Sequence, residues 1–285
     1  MELNSRTGKN LVLSGITNGI IIFFGVLMLY PVIWLIMASF KDGSEIFSNQ
    51  SLLPRIWTFE NYGHGWGGIG IVGFDTFFLN SFIICFISLI LNAVFCSITA
   101  YAFARLEFPG KKILFAIMMV TLMLPAHVTT IPRYIIFRSF GWIDTFLPLI
   151  VPRLFAVDAF FIFLLVQFIR GLPKDMDESA FIDGCGKLGI YIKIIIPLSM
   201  PAIITTVLFT FLWTWDDFFN QLLYLNSPQN YTVPMGLRLF LDASGISSWG
   251  AMFAMSVLSI LPCFVLFFSL QKYFVQGIAT TGMKG

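Results

Sequence analysis

Residues 172–201 read LPKDMDESAFIDGCGKLGIYIKIIIPLSMP, a polar island in an apolar chain. Seven charges lie within it: Lys174, Asp175, Asp177, Glu178, Asp183, Lys187 and Lys193. At roughly 3 kcal/mol per charge at mid-bilayer, burying them all would cost on the order of 20 kcal/mol. The island therefore belongs in water, between two spans. Its local chemistry predicts helix, turn, helix. Pro173 suits a first helical position, where its missing N–H would be unpaired anyway. Asp175, Asp177 and Glu178 follow near the positive end of the helix dipole. Asp183-Gly184 closes the helix, with glycine free to take the left-handed cap conformation. Such a loop on a membrane protein reads as a docking surface.

The rest of the chain supplies the membrane. Its 285 residues are 58% hydrophobic and 11% charged, with a mean hydropathy of +0.87. A soluble domain would be about a quarter charged. The fold class expected is all-α: a polytopic membrane protein with six transmembrane helices, over 18–40, 76–104, 113–137, 143–168, 198–225 and 250–274. Each segment reaches the roughly 20 apolar residues a bilayer crossing needs. That divides the chain into an N-terminal tail 1–17, a membrane domain 18–276 and a C-terminal tail 277–285. An outer loop covers 41–75 and the polar island 172–197. Proline recurs in or beside the spans, where neighbouring helices can re-satisfy freed carbonyls.

With both termini inside, eleven of the seventeen basic residues fall on inner loops and tails. The positive-inside rule supports that topology and puts the polar island in the cytoplasm. Cys85, Cys96, Cys185 and Cys263 form no Cys-x-x-Cys, and His64 and His127 are far apart, so no metal site is indicated. Gly65 to Gly70 matches G-x-G-x-x-G in letters only. A dinucleotide site needs a βαβ unit around it, so the match reads as flexible outer loop.

Inside the spans, polar residues mark candidate function. Arg133 should face a cavity or a partner, and Asp158 is its candidate partner in an intramembrane polar pair. On one continuous helix, Trp213, Asp216, Asp217 and Asn220 would share a face beside Thr214. An aromatic plate next to hydrogen-bonding groups suits a sugar ring. A structural polar cluster between helices fits those residues equally well.

Several stretches resemble the permease subunits of bacterial ATP-binding-cassette importers. Glu178-Ser179-Ala180, Asp183-Gly184, Ile196-Pro197-Leu198 and Pro201 resemble that family's EAA loop, with Ser179 and Cys185 where alanine is usual. The words of the first outer loop, residues 100–110, the Trp-Asn-Asp-Phe-like run at 215–218 and the ending at 271–285 are similar too. The combination resembles the carbohydrate (maltose-type, MalG-like) branch with a MetI-like core. The resemblance implies that Glu178, Ser179, Ala180, Asp183 and Gly184 form a coupling helix seated on a separate ATPase. It implies that Trp213, Thr214, Asp216, Asp217 and Asn220 line the path, and that Gly282 and Lys284 reach the ATPase dimer.

The implied partners are a second homologous permease, two copies of the ATPase, an extracytoplasmic solute-binding protein, a sugar and the lipid bilayer. Nucleic acid is not among them. No Gly-x-x-x-x-Gly-Lys-Ser/Thr occurs, so ATP and Mg²⁺ belong to the ATPase and this chain holds no cofactor. The chain is then a non-catalytic subunit of the bacterial plasma membrane. The alternatives are a permease for a related polar solute such as glycerol 3-phosphate, or an ion-coupled secondary transporter. The latter would show paired repeats and broken helices. An intramembrane enzyme would need a catalytic constellation within the spans, which the adjacent Asp216 and Asp217 do not make.

Overall fold

The computed structural model describes residues 2–49, 51–68, 70–242 and 248–282, with side chains described over 14–49, 51–68, 70–125, 127–241 and 248–272. Every regular element among the described residues is a helix. In chain order come α1 (Glu2–Ala38), α2 (Glu45–Ser48), α3 (Glu60–Gly67), α4 (Phe74–Arg105) and α5 (Lys111–Thr121). A 3-10 turn, Ala126–Thr129, leads into α6 (Thr130–Ser139), and another, Val151–Phe155, joins α7 (Leu147–Ile150) to α8 (Ala159–Arg170). Next are α9 (Asp175–Ile182), α10 (Lys187–Ile190), a π-helical turn Tyr191–Ile195 and α11 (Ile196–Leu198). The chain ends with α12 (Met200–Trp215), α13 (Phe218–Tyr224), α14 (Val233–Asp242) and α15 (Trp249–Gly282). Two compact units result, one from α1–α3 with the end of α14 and the start of α15, the other from α4–α13 with most of α14 and the remainder of α15.

In the second unit α4 is the axis, packed on α8 and α12. Its buried stripe is apolar at the ends, with Phe74, Phe77, Ile84 and Tyr101, and small or polar between them: Cys85, Ser88, Asn92, Cys96, Ser97 and Ala100. Phe82, Phe86, Ile90, Val94 and Ile98 point outward. A membrane helix reads inside out in this way, because lipid is as apolar as leucine and small or polar groups do the joining. Asn92 Nδ2 donates to Thr210 Oγ1 at 3.0 Å. Asn80 Nδ2 donates to the carbonyls of Gln229 and Tyr231, each at 2.8 Å. Such interhelical bonds average roughly 0.6 kcal/mol each in a membrane.

Among the described residues, four helices are long and apolar enough to span: Ser14–Ala38, Phe74–Arg105, Leu147–Arg170 and Trp249–Lys272. Lys187–Leu198 and Met200–Trp215 make a fifth if they count as one, although they meet at a bend of 76°. Pro197 and Pro201 flank that bend, each lacking an N–H to continue the ladder. The segment expected to span at 113–137 is instead two short helices, α5 and α6, separated at Leu122–Pro125. Pro125 explains the break, since the residue before a proline is pushed out of helical geometry.

In the first unit the outer loop is ordered rather than slack. Lys41 is buried, its Nζ donating to the carbonyls of Asn49 at 3.1 Å and Ser51 at 2.6 Å. Asn61 Nδ2 donates to the carbonyls of Ser39 and Lys41 at 2.9 and 2.7 Å. The expected flexible glycine run is corrected in part. Gly65 lies within α3, so close to Met255 that a Cβ there would meet its Cε at 2.8 Å.

Candidate functional site

The polar island folds as helix, turn, helix, and α9 ends as expected. It starts at Asp175 with Lys174 at its N-cap, so Pro173 lies just before the helix rather than at its first position. Gly184 has φ +85°. The Gly184 N–H donates to the Phe181 carbonyl at 3.0 Å and the Cys185 N–H to the Ala180 carbonyl at 2.9 Å. That pair of bonds is the Schellman motif, and it needs a residue at ease with positive φ. Ala180 turns inward, packed in the core around Leu165 and Ile190. Glu178, Ser179, Asp183 and Gly184 face outward. Phe181, Ile182 and Leu188 are exposed beside them, at 69%, 83% and 68%. The knuckle thus carries three large apolar side chains exposed among its charges.

The knuckle is tied to α4. Arg105 Nε lies 2.9 Å from Asp177 Oδ2, with the arginine side chain only 5% exposed. Arg105 Nη2 donates to the Leu172 carbonyl at 2.8 Å. Tyr101 Oη donates to the Lys187 carbonyl at 3.1 Å, and the Ser97 and Tyr191 hydroxyls lie 2.7 Å apart. Reading α4 as a span and the island as a loop missed this joint. Its one signal is an arginine at a span's end with acids in the polar island downstream.

The second cluster surrounds a cavity of about 180 Å³ whose polar lining is Arg133, Arg153, Asp158, Asp217 and Asn220, with Tyr224. The expected Arg133–Asp158 pair is not formed. Asp158 Oδ2 accepts from Arg153 Nη1 at 2.7 Å, and Arg153 Nη2 donates to Thr214 Oγ1 at 3.0 Å. Between those two residues Ala156 has φ +50°, which turns the chain back on itself. Arg133 donates instead to Thr129 Oγ1 at 2.8 Å, one turn earlier.

The single helical face expected over 213–220 is also corrected. α12 stops at Trp215, and Asp217 caps a new helix, accepting from the Asn220 N–H at 3.1 Å. Asp217 and Asn220 reach the cavity, whereas Trp213 packs on Phe160, Phe161 and Phe209. Asp216 is exposed at the break, and Thr214 is buried on Arg153. His127 packs edge-on against Phe219, with ring centroids 5.3 Å apart. Among the described residues no group of His, Cys, Asp and Glu could hold a metal. Gly282 closes α15, and Lys284 lies outside the described residues.

A model of the family described as "Binding-protein-dependent transport system inner membrane component" matches residues 93–280. The chain belongs to this family. It is 32% identical over 256 residues to the "Probable ABC transporter permease protein YurM" of Bacillus subtilis, covering 90% of this chain and 84% of that protein. It is 32% identical over 263 residues to the "Arabinooligosaccharides transport system permease protein AraQ" of the same organism, covering 91% and 92%. It is 30% identical over 264 residues to the "Trehalose/maltose transport system permease protein MalG" of Thermococcus litoralis, covering 93% and 94%. A chain in the crystal structure of a bacterial ABC transporter that imports alginate superposes with a TM-score of 0.81. At 24% identity, covering 92% of this chain and 96% of that one, it shows the fold alone. This binding-protein-dependent permease is thus a multi-pass membrane protein with the importer-permease fold.

Proposed function

We propose that this permease is half of the translocation path of an ATP-binding-cassette importer for a sugar or oligosaccharide. It pairs with a second homologous permease, is driven by two copies of a separate cytoplasmic ATPase, and receives solute from an extracytoplasmic binding protein. Both termini face the cytoplasm, and ATP and Mg²⁺ sit on the ATPase. The observation that carries this reading is the α9 knuckle, apolar on its outer face and tied by Arg105–Asp177 to the longest helix of the second unit. A partner that grips Phe181, Ile182 and Leu188 and moves on nucleotide binding would pull α4, and with it the packed α8 and α12, as a rigid body. Such lever-like displacement of packed helices is how alternating access is reached.

The substrate class is supported by the named relatives, which carry arabinooligosaccharides and trehalose or maltose. A cavity with both hydrogen-bond donors and acceptors suits hydroxyl-rich solutes. Reconstitution with the ATPase, the second permease and the binding protein tests the reading. Oligosaccharide should stimulate ATP hydrolysis and enter the vesicles. Solute movement without the ATPase, or stimulation by glycerol 3-phosphate alone, would contradict it.

A further inference from the structure

A cleft of about 770 Å³ lies between the α4–α5 turn and the C-terminal end of α8, two residues along the chain from Arg105 and Leu172 of the knuckle joint. Its lining holds Lys111, Lys112 and Arg170 against one acid, Glu107. Lys111 Nζ is committed, donating to Glu107 Oε1 at 2.9 Å and the Leu106 carbonyl at 2.7 Å. That bond, with the Lys111, Lys174 and Lys112 charges around it, holds the Glu107 carboxyl below its usual range. Lys112 and Arg170 are both exposed, and no carboxylate among the described residues pairs with either. The Arg170 guanidinium is held in place over Phe115, 5.1 Å from the ring centroid. Two cations thus line a built recess whose one carboxylate, Glu107, is already engaged by Lys111.

The apolar surroundings say which anion. Phe108, Ile113 and Phe115 complete the lining. Ile113, Leu114 and Ile117 continue along the outer face of α5, all at least half exposed. The spans Phe74–Arg105 and Leu147–Arg170 both end at this cleft, which is where headgroups lie. We propose that the cleft binds the phosphate headgroup of an anionic phospholipid, with its acyl chains along α5. Lys112 and Arg170 take the phosphate, and the exposed aliphatic strip takes the tails. A free phosphate would use the same cations but leave the strip uncovered. The proposal rests on the orientation proposed above, which places this end at the cytoplasmic leaflet, whose surface is anionic.

The test uses the assembled transporter in nanodiscs of phosphatidylcholine mixed with phosphatidylglycerol, followed by native mass spectrometry of retained lipid. The intact complex should retain phosphatidylglycerol preferentially. Replacing Lys112→Gln and Arg170→Gln together should weaken that retention by about thirtyfold, near fivefold for each surface cation lost. Since Arg170 packs on Phe115, Lys112→Gln alone serves as the milder variant and should give about fivefold. Equal retention of both lipids, or retention untouched by either variant, overturns the proposal. So does displacement of the lipid by millimolar inorganic phosphate, or loss of the ATPase from the variant complex. Sugar-stimulated ATP hydrolysis is measured on the same samples. If it persists while lipid preference is absent, the permease reading stands and only the lipid site falls.

Discussion

Arg105, the last residue of α4, and Asp177, in the first turn of α9, form an ion pair of 2.9 Å at 5% and 18% side-chain exposure. The pair joins the helix at the centre of the second unit to the knuckle that faces outward. Opposite charges that bury together hold position because removing one leaves the other uncompensated, at a cost of about 3–5 kcal/mol.

Arg105→Leu should therefore destabilise the second unit by about that much, seen as a lowered thermal midpoint of the purified complex. Asp177→Asn should cost less, because the amide still accepts one hydrogen bond. Arg105→Lys keeps the charge but loses the planar fork that also reaches the Leu172 carbonyl, and should restore stability only in part. Equal stability of all three variants would remove the joint from the account.

Gly184 separates backbone from surface. Its φ of +85° makes any β-carbon strained, while a Cβ there would touch nothing within 4 Å. Gly184→Asn, which tolerates the left-handed region, should fold and transport near normally. Gly184→Val should cost roughly 1–2 kcal/mol in stability. Its transport loss should exceed that of a stability-matched core variant, because the side chain projects into the docking face. Matched losses would mean the position matters only for the helix cap.

Asp144 holds the segment after α13. Its carboxylate accepts from the Asn226 and Ser227 N–H groups, each at 2.9 Å, and from the Ser227 hydroxyl. The Ser227 hydroxyl leads these bonds in holding the carboxyl down at about 2, well below the ordinary aspartate value of 3.8. A lowered value means the stabilisation is complete above the ordinary value and is lost as pH falls through about 2. Amides 226 and 227 should exchange faster below pH 4 than intrinsic rates account for. Asp144→Asn keeps the positive φ of 63° tolerable and should remove that pH dependence. An unchanged acid profile in that variant would show the carboxylate is not the clamp.

Asp217 caps α13 and also lines the polar cavity. Asp217→Asn preserves the cap, whereas Asp217→Ala removes it at about 1 kcal/mol. If the cavity handles solute, both variants should lower oligosaccharide uptake in vesicles while the ATPase still co-purifies. Uptake preserved in Asp217→Asn and lost in Asp217→Ala would reduce the residue to a cap.

The knuckle was legible from sequence because its causes are local: proline, acids, glycine and a cluster of charges too costly for lipid. The spans were legible as composition, but their continuity was not. Hydropathy sums residues over a window, while a helix is a chain of backbone hydrogen bonds that Pro125 or a capping Asp217 interrupts without changing the sum. Trp213 and Asp217 could not share a face once that interruption fell between them. Asp158 found Arg153 rather than Arg133 because Ala156 adopts a left-handed turn, which alanine does not advertise. Lys41, a cation in the outer loop, is buried beneath carbonyls from its own loop, which no composition or charge count signals.

The most direct measurement places a photo-crosslinking amino acid at Phe181, at the outer face of α9, in membranes containing the whole transporter. The account predicts a crosslink to the ATPase subunit, weakened when nucleotide is removed and absent in Gly184→Trp. A crosslink to the extracytoplasmic binding protein, or none to the ATPase in a complex that transports, would contradict it.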